Sequence, residues 1–357
     1  MQTRIILIIF DQETPRIRLQ AMKKVTLLDL AREAKVGTAT VERVLNARGN
    51  VSPGTAERVV VAARRLGYDR RLPDRYRGII KIEVIMVRPD TPFFARLNGA
   101  FARIAASLDS SVVIHRTFLD ERDPHGLARH IANPEFRRSG LIIAAPDHPE
   151  VKATLREAKT SGVVVVHIVS RIGAEHDPFV GIDNYAAGRS AAYYMTNMLK
   201  TRTGSLVALC HSGVYDGHRE RVRGFSDYLA EHGDPAHLFA LVMFGLDDRL
   251  RSAEVFAEAL HHCPDIVGIY NAGGANSGIA AVLERHGRAK SIMWIGHELT
   301  DNSRRWLKSG LMSIVFDQAP ETQARRAVDL VLQRIGFIDL EVSNEPVRFL
   351  TVNSENL

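Results

Sequence analysis

The chain has 357 residues, 45% of them hydrophobic and 25% charged, which is the composition of an ordinary globular protein with two or three domains. No apolar run approaches the roughly 20 residues that a membrane-spanning helix needs, so the sequence predicts no integral membrane protein. Two cysteines without CxxC spacing exclude a disulfide framework and favour a reducing compartment, the cytoplasm.

Positive charge is concentrated near the N-terminus. Residues 22–78 hold 13 Lys or Arg against six Asp or Glu, whereas residues 79–357 are close to neutral. The formal net charge of the whole chain is only +6. A basic module on a nearly neutral body is the electrostatic pattern of nucleic-acid binding by one small domain.

The first 21 residues match none of the patterns that follow. Ile5–Phe10 is too short for the apolar region of a signal peptide, and no small-residue cleavage site follows it. Met22 directly precedes the basic module. We therefore interpret residues 1–21 as an extension or a mis-assigned start, with translation beginning at Met22; a peptide covering Gln2–Arg16 in the native protein would contradict this interpretation.

Three short helices separated by tight breaks are predicted in the basic module. Thr26 precedes an apolar run and has Asp29 three residues later, which is the spacing of a capping box. A break at Gly37 precedes a second helix at about Thr38–Asn46, and Ser52-Pro53 opens the third. Helices with this spacing are typical of a helix-turn-helix, whose second helix lies in the DNA major groove.

The order of residue types in this module is more specific than its helices. The segments TLLDLAREAKV, TVERVLN and VSPGTAERVVVAARRLGY resemble the DNA-binding head of lactose-repressor (LacI/GalR) family regulators along its whole length. The resemblance implies that Thr38, Ala39 and Arg43 face the groove, with Asn46 at the end of the recognition helix. Arginine can donate two hydrogen bonds to guanine, and small side chains can meet a thymine methyl.

Two alternatives stay open for this helix. Arg43 could hold only a phosphate, and Ala39 could serve only as a helix former. The complete set of residues expected to contact DNA is Thr26, Thr38, Ala39, Thr40, Arg43, Asn46, Arg70 and Arg71.

The segment after the head departs from the family pattern. Related regulators carry a short helix there whose leucine enters the minor groove, but here Pro73 disfavours helix at Leu72 and no leucine has that register. We expect a basic, mostly extended linker over residues 70–78. Its Arg70 and Arg71 would add phosphate contacts without a sharp kink in the DNA.

Beyond Gly78, apolar strands alternate with amphipathic helices. Such a pattern predicts parallel sheets covered on both faces, with ligands bound at the carboxyl ends of the strands. Eight strands are predicted, at Ile79–Val87, Ser111–His115, Gly140–Ala144, Val163–Val169, Ser205–Leu209, Ile266–Tyr270, Ile292–Ile295 and Met312–Val315.

This order resembles the two-lobed sugar-binding fold (type I, periplasmic-binding-protein-like) of LacI-family bodies and periplasmic sugar receptors over about Ile80–Thr351. The G-x-D-N-x-x-x-G and R-x-R-x-x-G-F segments and the D-Q-x-P crossover carry the resemblance. It implies a small ligand between the lobes, held by Phe93, Phe94, Arg171, Arg219, Arg221, Asn271, His297, Glu298 and Gln318. Carboxylate, amide and guanidinium groups suit a polyhydroxylated ligand.

Some of these assignments leave alternatives. Arg219 and Arg221 could supply the same guanidinium in shifted registers, and Phe94 could belong to the core. We interpret Asp183-Asn184 as a helix N-cap that shapes the hinge rather than as a direct ligand contact. Glu298 stands where the family usually has Asp, so we expect a tighter pocket or a different hydroxyl pattern.

Common enzyme motifs are missing from the sequence, which has no GxGxxG after a strand, GxxxxGK[ST], GxSxG or HExxH. A phosphate loop at Asn271–Asn276 and a metal site at His261–Cys263 are both disfavoured. The sequence predicts no enzyme, no cofactor and no metal. A transport receptor would share the body, but it would need a secretion signal and would lack the head.

The sequence therefore predicts an all-α helix-turn-helix head (residues 22–69) and a two-lobed parallel α/β sensor. The N-terminal lobe would comprise residues 79–187 with 318–337, and the C-terminal lobe residues 188–317 with 338–357. The expected function is a cytoplasmic, homodimeric or tetrameric regulator, nucleoid-associated on DNA and without a membrane partner. It would repress at a pseudo-palindromic operator under control of a sugar or polyol. The alternative is an activator that responds to a phosphorylated sugar or another small metabolite.

Overall fold

The computed structural model describes residues 25–46, 51–66, 68, 79–89, 91–172, 177–287 and 289–357. The predicted extension at residues 1–21 and the predicted linker at residues 70–78 lie outside the described residues. The chain divides into two compact units, Met1–Tyr76 and Arg77–Leu357. In the described ranges, no helix is both long enough and apolar enough to cross a membrane.

The smaller unit has the three predicted helices, α1 (Leu27–Ala34), α2 (Thr38–Leu45) and α3 (Pro53–Leu66). The predicted capping box is confirmed, since Thr26 N donates to Asp29 Oδ2 at 2.9 Å and Asp29 N donates to Thr26 Oγ1 at 3.3 Å. α1 ends at Lys35, whose φ of 53° reverses the chain. Leu30, Val41, Val44 and Val59 are fully buried and hold the helices together.

The larger unit begins with a five-stranded, all-parallel sheet. We call this sheet and the helices that cover it the first lobe. Its strands are β1 (Ile80–Met86), β2 (Val112–Phe118), β3 (Gly140–Ile143), β4 (Val164–Ile168) and β5 (Phe179–Val180), in the order β2-β1-β3-β4-β5. The helices between these strands are α4 (Pro92–Ser107), α5 (Pro124–Ala132) and α6 (Pro149–Thr160).

A six-stranded sheet forms the second lobe. Its helices are α7 (Asn184–Met198), α8 (Asp216–His232), α9 (Arg249–His262), α10 (Asn276–Leu283) and α11 (Asp301–Ser309). Its strands are β6 (Gly204–Cys210), β7 (His237–Phe244), β8 (Ile266–Asn271), β9 (Met293–His297), β10 (Ile314–Asp317) and β11 (Leu350–Val352). They lie in the order β11-β10-β9-β8-β6-β7, with only β11 antiparallel to its neighbour.

Three strands were not predicted from the sequence. β5 and β11 have two and three residues, which is too short to show a period. β7 is a continuous apolar run, HLFALVMF, that periodicity cannot distinguish from a buried helical segment.

The chain passes between the two lobes three times. It leaves β5 for α7, returns from β10 to helix α12 (Pro320–Arg334) on the first sheet, and runs from α12 to β11. Two of these crossings are joined, because Val347 N donates to Gly181 O at 2.8 Å. The N-cap interpretation of Asp183 is confirmed, since its Oδ1 accepts from Ala186 N at 2.8 Å.

Helices α7 and α8 pack so closely at Gly188 that adding one methyl group there is expected to destabilise the protein strongly. A Cβ at Gly188 would lie 1.9 Å from Arg221 O, a backbone atom that cannot move aside cheaply. Gly188→Ala is expected to lower the free energy of unfolding by about 3 kcal/mol, as overpacking does, in a urea titration. Gly99→Ala is the control, because its Cβ would meet only the flexible tip of Arg103, at 3.4 Å. Equal stability of the two variants would contradict this packing.

Candidate nucleic-acid interface and ligand cleft

The second helix of the head presents one exposed face. Val41 and Val44 anchor α2 in the core, so Thr38, Ala39, Arg43 and Asn46 are exposed and Thr40 is partly exposed. Thr26 uses its hydroxyl in the cap of α1, where Oγ1 lies 2.6 Å from Asp29 Oδ2. Arg70 and Arg71 lie outside the described residues. The exposed face is available for the predicted groove contacts.

A cavity of about 160 Å³ lies between the two lobes of the larger unit. It sits at the carboxyl ends of parallel strands, where the fold class places ligands. Its wall combines residues that follow strands of both lobes. They include Arg88, Thr91 and Ser170 from the first lobe, Tyr215, His218, Arg221, Asp247, Asn276, His297 and Glu298 from the second, and Gln318 from a crossing.

Six of the nine predicted ligand-binding residues line this cavity, namely Phe93, Phe94, Arg221, His297, Glu298 and Gln318. Phe93 and Phe94 also pack edge to face, with ring centroids 5.4 Å apart, so both contribute to the core below the cavity. Of the two alternative arginines, the structure places Arg221 in the cavity.

The other three predicted residues do not line it and need correction. Asn271 is fully buried, and its Nδ2 donates to Gly274 O and Asn276 Oδ1, both at 2.7 Å, so it shapes the loop behind the wall. Arg219 turns to the surface, where it pairs with Asp216 at 2.9 Å. Arg171 stacks on the Phe179 ring at 4.7 Å, beside a separate surface hollow.

The site assignment from sequence missed most of the other wall residues, and Asp247 and Arg88 show why. Asp247 follows β7, which was not predicted, so its position at a strand end was hidden. Arg88 follows the predicted first strand but was not selected among several polar residues there. Both residues follow an apolar run closely, and this position, rather than their residue type, could have identified them as wall residues.

Unusual backbone conformations surround the cavity. Eight non-glycine residues in the described ranges have positive φ, and five of them line it, namely Arg88, Val169, Asp247, Ala275 and Glu298. Such conformations cost about 1–2 kcal/mol each and persist only where packing over-determines them. Their clustering marks the strand ends as the functional edge of the fold.

Arg221 joins the cavity to the hinge. The side chain is 4% exposed, and its Nε donates to Asn184 Oδ1 at 2.8 Å, at the start of α7. Nη1 donates to Ala272 O at 2.8 Å and Nη2 to Gln318 Oε1 at 2.6 Å. One guanidinium therefore contacts two of the three crossings and the end of β8, so it connects the cavity wall to the hinge.

Glu298 is a buried carboxyl group with competing neighbours. Burial, together with the nearby charge of Asp317, raises its pKa to about 8, although Gln318, Arg96 and Arg221 oppose that shift. Gln318 Nε2 donates to its Oε1, while Oε2 lies 3.7 Å from Arg96 Nη1. Because Arg96 is held 2.5 Å from Asp317, its charge is already neutralised. Glu298 is therefore mostly protonated near pH 7.

Polar contacts connect the two lobes beside the cavity. Arg88 Nη1 in the first lobe lies 3.2 Å from Asp247 Oδ2 in the second. Glu121 of the first lobe accepts a short hydrogen bond from the Tyr215 hydroxyl and lies 3.4 Å from His211 Nε2. These pairs hold the two lobes together next to the cavity wall.

The raised pKa of Glu298 predicts a pH-dependent stability. A carboxyl that binds its proton more tightly when folded stabilises the fold fully below the unfolded pKa of about 4.5, and this contribution is lost as pH rises toward 8. Relative to Glu298→Gln, the wild type should lose up to about 1.4 kcal/mol per pH unit between pH 5 and 8. Calorimetric unfolding of both proteins across this range tests it; a constant difference would contradict the protonated state.

Each of the two units matches the model of a known protein family. The model for bacterial regulatory proteins of the lacI family matches residues 26–71, and that for a periplasmic binding protein domain matches residues 82–337. The ribose operon repressor of Halalkalibacterium halodurans is 36% identical over 286 residues, 78% of each chain. Catabolite control protein A of Priestia megaterium is 27% identical over 216 residues, and the match spans 59% of this chain and 63% of that relative.

Solved structures resemble the larger unit in fold. A glucose-galactose binding protein, GanP, from Geobacillus stearothermophilus has a TM-score of 0.69 at 18% identity, covering 79% of this chain and 99% of its own. A transporter solute-binding protein from Burkholderia graminis, in complex with D-arabinose, has a TM-score of 0.66 at 20% identity, covering 78% and 96%. With its lacI-type head and its periplasmic-binding-protein domain, the chain belongs to the lacI family of bacterial regulatory proteins.

Proposed function

We propose that this protein is a sequence-specific transcriptional regulator, a repressor, that is controlled by a small sugar or polyol bound between its lobes. The observation that carries the proposal is the presence, in one chain, of a lacI-type helix with an exposed reading face and an interlobe cavity tied to the hinge through Arg221. Two relatives are named as a ribose operon repressor and a catabolite control protein, which supports the same role.

The proposed mechanism is a shift between lobe arrangements. Ligand in the cavity favours one arrangement, and the spacing of two heads across a pseudo-palindromic operator changes with it. This mechanism requires a homodimer or a tetramer built from it. We place the protein in the cytoplasm, nucleoid-associated on DNA, with no enzymatic activity and with the domain limits predicted from the sequence.

The test combines two measurements on the full chain. Fluorescence anisotropy with DNA from the promoter of its own gene should show binding that is at least about a thousandfold tighter than to random DNA at the same salt concentration. A thermal-shift panel of pentoses, hexoses, polyols and their acids and phosphates should then identify a ligand that stabilises the protein and changes operator affinity. Operator binding that no stabilising ligand alters would refute ligand control, and a promoter reporter distinguishes repressor from activator.

A further inference from the structure

The wall of the cavity is rich in hydrogen-bond donors. Three of the five N–H groups of Arg221 are committed, to Asn184, Ala272 and Gln318, and all three acceptors are neutral. Two N–H groups therefore remain for a ligand, on a buried cation that has no carboxylate among its hydrogen-bond partners.

Two neutral histidines add ring nitrogens to the same wall. His218 Nδ1 accepts from His211 N at 3.3 Å, so its proton is on Nε2, and burial lowers its pKa to about 4. His297 Nε2 lies 2.9 Å from the Tyr270 hydroxyl, for which the described residues offer no other acceptor. Burial lowers the pKa of His297 well below its usual value, so the ring is neutral, and its Nδ1 is the nitrogen left for a ligand, as donor or acceptor according to the tautomer.

Several buried polar atoms of the cavity wall have no hydrogen-bond partner. In the described part of the chain these are Glu298 Oε2, His297 Nδ1 and Ser170 Oγ. His297 and Ser170 belong to different lobes and are 1% and 4% exposed. A buried polar atom without a partner is unfavourable, so a ligand that hydrogen-bonds to both His297 and Ser170 gains affinity.

The charges of the wall favour the same kind of ligand. Two arginines and two acidic side chains line it, namely Arg88, Arg221, Asp247 and Glu298. Arg88 pairs with Asp247 at 3.2 Å and with Glu121 at 3.5 Å, and Asp247 also accepts from Gly274 N at 2.6 Å. Burial raises the pKa of Glu298 to about 8, which weakens its negative charge near pH 7, whereas Arg221 forms no ion pair with a carboxylate of the described residues.

Helix N-termini strengthen this positive potential. The first residues of four helices, α4, α8, α10 and α11, line the cavity. Each N-terminus carries about half a positive charge, which favours anions.

We propose that the effector carries a compact anionic group, carboxylate or phosphate, on a body of monosaccharide size, and that this anion lies against Arg221, His218, His297 and Ser170. The inference deepens the proposed function and rests on it. A cavity of about 160 Å³ is comparable in volume with one that holds a single six-membered ring.

Matched ligand pairs test the proposal. Binding of D-galactose and D-galacturonate, D-glucose and D-gluconate, and D-glucose and D-glucose 6-phosphate to the full chain is measured by titration calorimetry at constant ionic strength. The anionic member of at least one pair should bind about tenfold or more tightly than its neutral partner, and the acid and phosphate arms identify the anion. Equal or tighter binding of every neutral sugar would overturn the anionic assignment while leaving the proposed regulator intact. No binding in any pair, together with no effect on operator affinity, would count against both.

Ser170→Ala separates recognition from folding. Because Ser170 Oγ has no partner in the ligand-free site, its removal should leave thermal stability equal or slightly higher. Affinity for the preferred anion should fall about threefold to tenfold, with little change for the neutral partner. An equal loss for both ligands, or none for the anion, would contradict the placement of Ser170 at the anion.

Discussion

Arg221→Lys is expected to abolish the effect of ligand on operator binding. Lysine keeps the charge, but one ammonium cannot reach Asn184, Ala272 and Gln318 in three directions as the planar guanidinium does. Ligand affinity should fall about a hundredfold, because at least one charge-assisted hydrogen bond to the ligand is lost together with the geometry of the hinge. Calorimetry measures the affinity, and anisotropy with and without ligand measures the response.

Arg219→Lys is the matched control for this experiment. The same Arg→Lys change can be made at Arg219, two residues before Arg221. Arg219 lies at the surface and pairs with Asp216. Its replacement should alter ligand affinity by no more than about twofold, as surface substitutions do. A lost response in Arg219→Lys with a normal response in Arg221→Lys would mean that the two arginines have been assigned in the wrong register.

Arg43→Ala is expected to weaken operator binding about tenfold to a hundredfold. Arg43 is exposed on α2 between the buried anchors of that helix, so its guanidinium is free to reach a guanine edge. A good two-bond contact to a base contributes about 1–3 kcal/mol of discrimination. Anisotropy with operator and with random DNA gives the two affinities, and ligand binding should be unchanged.

Arg65→Ala distinguishes base reading from a general loss of positive charge. Arg65 is also exposed in the head, but it lies on α3 and pairs with Glu33 at 2.8 Å. Its removal should weaken operator and random DNA binding equally and by a small factor. If Arg43→Ala likewise reduced both affinities by the same factor, Arg43 would be a phosphate contact, the alternative that the sequence leaves open.

Arg221 connects the cavity to the hinge through its own hydrogen bonds. Its contacts to Asn184 and Gln318 place the ligand-facing guanidinium on two of the three segments that connect the lobes. Any ligand that draws Arg221 toward the cavity must either preserve or break these bonds. Coupling between ligand and hinge therefore needs no long pathway, because one side chain contacts both.

The sequence by itself determined the head and the class of the body. Helix starts such as the Thr26–Asp29 capping box are local, since the interacting groups are three residues apart, and they were predicted correctly. Eight strands and their parallel arrangement followed from apolar runs, because a strand buried on both faces must be apolar throughout. The strand ends likewise indicated where the cavity would be.

Only the tertiary structure decided which polar side chains face that cavity. Arg219 and Arg221 are equivalent in sequence, but the contact of α8 with α7 turns one to the surface and buries the other. Asn271 has the residue type of a ligand contact, yet the loop before α10 consumes its amide. The left-handed conformation of Glu298 and the burial that keeps it protonated arise from neighbours distant in the chain. Local sequence predicts where elements begin and end, whereas side-chain direction and charge state depend on packing between them.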